Sequence, residues 1–239
     1  MGPRTILDIL DLTLLDGGAS EADLRGLCDL ANQILPAAVC VFAEQAPVVS
    51  SMLDDKIALS LVAGGFPVGS SSPAEISEKI EEAVAMGAEE IDCVLEPRQD
   101  EDYPNEDDLG ILIAMREASL GVPLKVIVEA PMLDERGLRA VTRMALAAGA
   151  DFVKTCTGKR GECSVEHARL ISFEVRRHFV TFGELRGLKL SGGISTREKA
   201  EFLIASVNSV DETIIGPDRL RIGASSLVDD LIGGGLGRN

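Results

Sequence analysis

The sequence predicts an α/β fold, a (β/α)8 TIM barrel folded as one domain, and three observations carry that expectation. Eight short apolar runs alternate with eight amphipathic stretches along the chain. The runs are nearly continuous in Val, Ile, Leu and Ala, as strands buried on both faces of a parallel sheet are. A length of 239 residues suits a single barrel of this kind.

In chain order, strands are expected near 6–10, 38–42, 57–63, 89–95, 123–129, 151–155, 186–190 and 219–223. Helices are expected near 20–34, 44–53, 73–87, 106–120, 134–148, 164–179, 196–207 and 225–232. Helix starts are marked by Ser72-Pro73 with Glu75, and by Ser164 with Glu166. Two helix ends share a pattern, Ala85-Met86-Gly87-Ala88 and Ala147-Ala148-Gly149-Ala150, in which a glycine stops the helix and a strand follows at once. No linker or composition break interrupts residues 1–232, and the glycine-rich tail, 233–239, is expected to be flexible.

Composition narrows the function classes. Hydrophobic residues make up 46% of the chain, enough for a packed core. No apolar run approaches the roughly 20 residues that span a bilayer. Asp8 and Asp11 interrupt the apolar stretch near the start, which does not read as a signal peptide. The five cysteines are odd in number and form no C-x-x-C, which suggests reduced cytoplasmic thiols and no zinc site. A net charge of −16 argues against nucleic acid and anionic membranes as partners. His167 and His178 lie on one amphipathic segment and are read as solvated helix residues.

Within this acidic chain Lys154 and Lys189 stand out. Each is a lone lysine in an apolar strand, Asp151-Phe152-Val153-Lys154-Thr155 and Gly187-Leu188-Lys189-Leu190, and each strand ends in small, glycine-rich residues. Burying an ammonium disfavours its charged form. Two lysines placed alike point to amine chemistry, although strands that end at the surface would let both snorkel into water. Alternation puts Phe152 on the face of Lys154 and turns Val153 toward the helices. Asp92, between Ile91 and Cys93, shares a face with Glu90 and Val94 and is a candidate functional acid. Glu129 is either a second such acid or the internal partner of Lys125.

An anion site is expected where the last two strands end. Arg221-Ile222-Gly223-Ala224-Ser225-Ser226 places glycine and two serines at a helix N-terminus, and Ser191-Gly192-Gly193 is similar after strand seven. Loops after strands seven and eight often bind phosphate in these barrels.

With these residues in view, the chain resembles the deoxyribose-phosphate aldolases, class I aldolases, over about residues 6–232. The resemblance runs through Leu10-Asp11-Leu12-Thr13-Leu14-Leu15, Val39-Cys40-Val41, Gly65-Phe66-Pro67-Val68-Gly69 and Glu90-Ile91-Asp92. It continues in Leu124-Lys125-Val126-Ile127-Val128-Glu129, in Gly149–Lys159, in Lys189-Leu190-Ser191-Gly192-Gly193-Ile194 and in Arg221–Ser226. It implies reversible cleavage of 2-deoxy-D-ribose 5-phosphate to acetaldehyde and D-glyceraldehyde 3-phosphate in deoxyribonucleoside catabolism, with no metal or other cofactor. Lys154 matches the Schiff-base lysine, Lys189 the second lysine and Asp92 the proton-relay acid. Substrate or phosphate contacts are implied for Lys159, Gly158, Gly192, Gly193, Ser225, Ser226, Asp11, Cys40 and Thr155.

The chain departs from the family pattern at Cys156, often serine, at Ala130, often threonine, and at Asn239, where some members end in tyrosine. Chemistry alone allows the two lysines to exchange roles; the Thr155-Cys156-Thr157-Gly158 context and the resemblance favour Lys154 as nucleophile. The expected partners are small sugar phosphates and aldehydes, and a homo-oligomer, a dimer, is expected. The competing readings are another lysine-dependent sugar-phosphate aldolase and a non-catalytic sugar-phosphate-binding barrel.

Overall fold

The computed structural model describes residues 2–119 and 121–233. Eight parallel strands close into a barrel in sequence order, and the eighth pairs with the first. They are β1 (Leu10–Thr13), β2 (Ala38–Phe42), β3 (Ala58–Ala63), β4 (Glu90–Val94), β5 (Leu124–Ile127), β6 (Phe152–Lys154), β7 (Gly187–Ser191) and β8 (Leu220–Ala224). Around them lie α2 (Glu21–Ile34), α3 (Ala46–Ser50), α4 (Pro73–Ala85), α5 (Glu106–Ala118), α6 (Glu135–Ala147), α7 (Val165–Phe182), α8 (Arg197–Asn208) and α9 (Leu227–Gly233). Gly233 ends α9, and the rest of the expected tail, 234–239, lies outside the described residues.

The first strand differs from expectation. Residues Pro3–Leu7 form a short helix, α1, and the barrel strand begins only at Leu10. Bonds from Asp8 N–H to the Arg4 carbonyl and from Ile9 N–H to the Ile6 carbonyl satisfy the backbone locally. Ile6 and Ile9 are buried nonetheless, so the run is apolar because it packs, not because it is a strand. The true strand carries Asp11, whose charge hides it from a search for apolar runs. The helix expected over 44–53 is a 3-10 turn, Ala43–Gln45, followed by the short α3.

Helix boundaries follow local chemistry. Ser72 caps α4 by accepting the Glu75 N–H, and Ser164 caps α7 by accepting the His167 N–H. Gly87 and Gly149 adopt φ of 95° and 96°. At each, the glycine N–H and the one after it bond back into the last helical turn, to Val84 and Ala83 and to Leu146 and Ala145. This is the paired closing bond that a left-handed glycine makes available.

His178 corrects the solvated reading of the two histidines. It is buried, with its ring nitrogen 3.1 Å from Glu184 and its ring tilted against Phe182. His167 accepts the Ser164 N–H at 3.3 Å, completing the cap of α7, and partial burial lowers its pKa. Both serve the helix. All five cysteines are free and buried.

Strand alternation is as expected on β6. Val153 joins the apolar layer between barrel and helices, whereas Phe152 points inward beneath the Arg221 guanidinium, 5.7 Å from its ring centroid. Phe152 lies beside Gly187 in the β6–β7 register, and a Cβ on that glycine would sit 2.3 Å from the ring. Large and small side chains therefore share this layer of the barrel. Gly187→Ala should destabilise the protein by about 1–3 kcal/mol in denaturant unfolding. Combining it with Phe152→Leu should return part of that loss; a Gly187→Ala variant as stable as the parent would show that Phe152 does not occupy this space.

Candidate active site

The strand register sets the site. Lys154 on β6 is opposite Lys189 on β7, and Lys189 is opposite Arg221 on β8, so three cations lie along one row of the barrel. Asp92 on β4 is opposite Lys125 on β5, and Asp11 comes from β1. All of these side chains turn inward and are buried.

Asp92 is the hub. Its Oδ2 accepts from Lys154 Nζ and from Lys189 Nζ, each at 2.7 Å. Its Oδ1 accepts from Lys125 Nζ at 2.9 Å and from Ser60 Oγ at 3.1 Å. Lys125 also lies 2.5 Å from Glu90 and 3.4 Å from Asp11. Asp11 contacts Lys189 and Arg221, both at 2.6 Å, and Arg221 closes the ring by pairing with Glu90 at 2.7 Å. Lys125 therefore pairs with Glu90 and Asp92, and the expected Lys125–Glu129 pair does not form. The left-handed backbone of Glu129, φ 48°, turns its carboxylate toward the Thr157 N–H instead, at 2.7 Å.

Burial alone would raise the pKa of Asp92; the ammonium groups of Lys125, Lys154 and Lys189 outweigh it and hold the carboxyl well below its usual range. Asp11 is held low in the same way by Lys189, Lys125 and Arg221 against its own burial. Burial disfavours the Lys125 and Lys189 ammonium ions, yet the facing carboxylates raise both pKa values. Three carboxylates, Asp11, Glu90 and Asp92, thus meet four cationic side chains, Lys125, Lys154, Lys189 and Arg221. The cluster is balanced when one of the four is a neutral amine. Lys154 has one carboxylate contact, while each of the others has at least two.

Lys154 also differs in access. It lines a cavity of about 210 Å³ at the C-terminal end of the barrel, whereas Lys189 lies beneath and is fully buried. The Phe66 ring stands 5.9 Å from Lys154 Nζ and packs edge-on against Phe42. Gly158, Lys159, Gly192, Gly193, Ser225 and Ser226, expected together from the sequence, line the same cavity. Lys159 Nζ reaches across to the Leu15 carbonyl at 3.1 Å. Gly192 admits no side chain, since a Cβ would meet Cys156 Sγ at 2.4 Å.

Asp11, Cys40 and Thr155, expected as substrate or phosphate contacts, are fully buried and do not line the cavity. Asp11 is held down by its cations. Thr155 Oγ1 donates to the Ser191 carbonyl and accepts the Ser191 N–H, both at 2.9 Å, fastening the ends of β6 and β7 together. Cys40 is pushed up in pKa by burial and then by Asp92, which keeps it a thiol. Sequence reasoning missed Ser60, the inward role of Arg221 and the true partners of Lys125. The inward alternation of Lys125 with Ile127 was a signal for one of them; nothing in the sequence marks Ser60. Among the described residues, no group of His, Cys, Asp or Glu is arranged to hold a metal ion, and no helix is long and apolar enough to cross a membrane.

The chain is similar to known aldolases over most of its length. A deoxyribose-phosphate aldolase of Finegoldia magna is 33% identical over 222 residues, covering 91% of this chain and 94% of that protein. One of Micrococcus luteus is 33% identical over 226 residues, covering 91% of each. The tetrameric deoxyribose phosphate aldolase of Aeropyrum pernix shares the fold, with a TM-score of 0.79 and 24% identity over 98% of this chain and 92% of that one. The model of the DeoC/LacD family aldolases matches residues 6–233, and the chain belongs to that family.

Proposed function

We propose that the protein is a class I aldolase that reversibly cleaves 2-deoxy-D-ribose 5-phosphate to acetaldehyde and D-glyceraldehyde 3-phosphate, a step of deoxyribonucleoside catabolism. The observation that carries this reading is Lys154, which lines the cavity above a buried charge cluster and beside a glycine- and serine-rich anion cup. Membership of an aldolase family sets the reaction class, a carbon–carbon lyase.

The neutral amine of Lys154 attacks C1 of the open-chain sugar, and loss of water from the carbinolamine gives an iminium ion. Removal of the C3 hydroxyl proton breaks the C2–C3 bond; its electron pair passes to the iminium nitrogen, leaving an enamine and releasing glyceraldehyde 3-phosphate. Protonation at C2 and hydrolysis return acetaldehyde and the free amine. Asp92, within hydrogen-bond reach of both lysines, relays these protons through water.

Free lysine titrates near roughly 10.4, so only about one in 10³ is neutral at pH 7. Lys154 and Lys189 each lie 2.7 Å from one Asp92 oxygen, so their nitrogens are at most about 5.4 Å apart. At an effective dielectric of about 20, two ammonium charges at that distance repel by roughly 3 kcal/mol. Lys189, kept charged by Asp11 and Asp92, supplies that repulsion. The substrates are small molecules. A homodimer fits the apolar side chains that α7 and α8 leave exposed, among them Phe182 and Phe202, and light scattering reads its mass directly.

Borohydride reduction in the presence of acetaldehyde or deoxyribose 5-phosphate should add mass to the peptide carrying Lys154. Modification confined to Lys189 reverses the assignment, and no adduct at all removes the aldolase reading. A substrate panel separates deoxyribose 5-phosphate from other sugar phosphates.

Lys189→Met leaves three cations facing three carboxylates even when Lys154 is charged. Its activity at pH 7 should fall at least about a hundredfold and recover in part as pH rises. Lys154→Met should show no recovery. A folded Lys189→Met enzyme with a flat pH profile would place Lys189 in substrate orientation or the proton relay.

Ser226→Asp puts a negative charge in the anion cup. Charge-assisted hydrogen bonds contribute roughly 1.5–3 kcal/mol each, so the phosphorylated sugar should lose about tenfold or more in kcat/KM while deoxyribose changes little. Equal loss on both would locate the phosphate elsewhere.

A further inference from the structure

Glu129 lies at the end of β5, outside the lysine cluster, and is held in an uncommon way. It is one of two non-glycine residues with positive φ among the described residues, at φ 48° and ψ 53°. Its side chain is fully buried. One oxygen, Oε1, accepts the Thr157 N–H at 2.7 Å, and Oε2 has no hydrogen-bond partner among the described residues. The nearest cation, Arg160, is 3.9 Å from Oε1. A left-handed backbone and an under-partnered buried carboxylate each cost stability, and an apolar side chain would fill the same volume at less cost. Unfavourable conformations of this kind persist where the geometry serves a site.

The carboxylate acts on the loop that carries Lys159. Thr157 Oγ1 accepts the Lys159 N–H at 3.1 Å, so fixing the Thr157 amide also orients the backbone two residues on. Gly158, between them, packs so closely on Gly192 that an added Cβ would stand 3.3 Å from the Gly192 Cα. The loop's other end is tied independently: Arg160 donates both terminal nitrogens to Glu96, at 2.6 and 3.1 Å, and Glu96 also accepts the Gly69 N–H at 2.9 Å. Lys159 is thus suspended between two anchors, with its ammonium directed across the cavity mouth.

We propose that Glu129 is a positioning residue for phosphate recognition: its carboxylate oxygen holds the Thr157 amide and so sets Gly158 and Lys159 against the cavity. The proposal rests on the reading of that cavity as the phosphate end of the aldolase site. It requires an acceptor oxygen at one place, and it does not require the charge.

Glu129→Ala, Glu129→Asp and Glu129→Gln separate these requirements. Alanine removes the acceptor, aspartate keeps the charge but withdraws the oxygen by one methylene, and glutamine keeps the oxygen without the charge. The alanine and aspartate variants should raise KM for deoxyribose 5-phosphate about tenfold, the effect of one hydrogen bond of about 1.4 kcal/mol. Their kcat should stay within about threefold, and kcat/KM for unphosphorylated deoxyribose within about twofold, of the parent values. Glutamine should restore KM to within about threefold of the parent value.

Equal losses on both sugars overturn the proposal, as does a normal aspartate variant beside an impaired glutamine variant. If the alanine variant fails to fold, the aspartate and glutamine pair decides by the same criteria. Acetaldehyde and borohydride are applied to every protein in parallel. An absent adduct in the parent overturns the aldolase reading and this proposal with it. An intact adduct in each variant with unchanged KM for the phosphorylated sugar overturns the role of Glu129 alone.

Discussion

Asp92 accepts hydrogen bonds from three lysines and a serine inside a barrel closed to water, and the site depends on that one carboxylate. Placed there alone, it would take up a proton, since burial raises a carboxyl pKa. Placed there alone, each lysine would shed one. Together Asp92, Lys125 and Lys189 keep their charges, and the distances within the cluster are set by strands that cannot slip, because a one-residue shift would turn every inward side chain out into the apolar layer. Barrel closure and the chemistry of the site are one constraint.

The cluster is deliberately uneven. Lys125 is enclosed by Asp11, Glu90 and Asp92, and Arg221 by Asp11 and Glu90, so the floor of the barrel is locked. Toward the C-terminal end the carboxylates run out, and Lys154 shares with Lys189 the single Asp92 oxygen that it contacts. The amine next to the cavity is therefore the one with the fewest carboxylate contacts. A buried ionic cluster of this size is poor value for stability, where well-packed apolar side chains of similar volume serve as well or better.

The cup beside Lys154 is made from the opposite material. Where the barrel interior relies on long charged side chains, the cup relies on glycines that let backbone approach closely and on serines ahead of α9. Gly192 is confined on one side by Cys156 and on the other by the 161–163 backbone, so the wall cannot thicken. The loop 157–160 joins the two halves: it starts at the strand that carries Lys154 and ends in the ion pair of Arg160 with Glu96.

Much of this was legible in the residues themselves. The barrel followed from eight apolar runs and their helices because alternation and turn chemistry are local, and Gly87 and Gly149 stop their helices as their sequence context says. Lys154, Lys189 and Asp92 stood out because a charge within an apolar strand is conspicuous. Where charge and apolar run coincide differently, the sequence misleads: β1 was displaced onto Ile6 and Ile9 because Asp11 interrupts the real strand. His178, on an amphipathic helix, proved buried, because its environment depends on Glu184 and Phe182 beyond the helix. Partnership was beyond the sequence throughout. That Lys125 turns to Glu90 and Asp92 instead of Glu129, that Asp11 and Thr155 lie below the cavity, and that Lys154 alone of the paired lysines reaches it are all consequences of strand register and of one left-handed residue. The sequence by itself determined which chemistry-bearing side chains exist and which elements carry them. Only the closed barrel decided which of them meet, because contacts between strands up to 210 residues apart are fixed by closure and not by anything local to either partner.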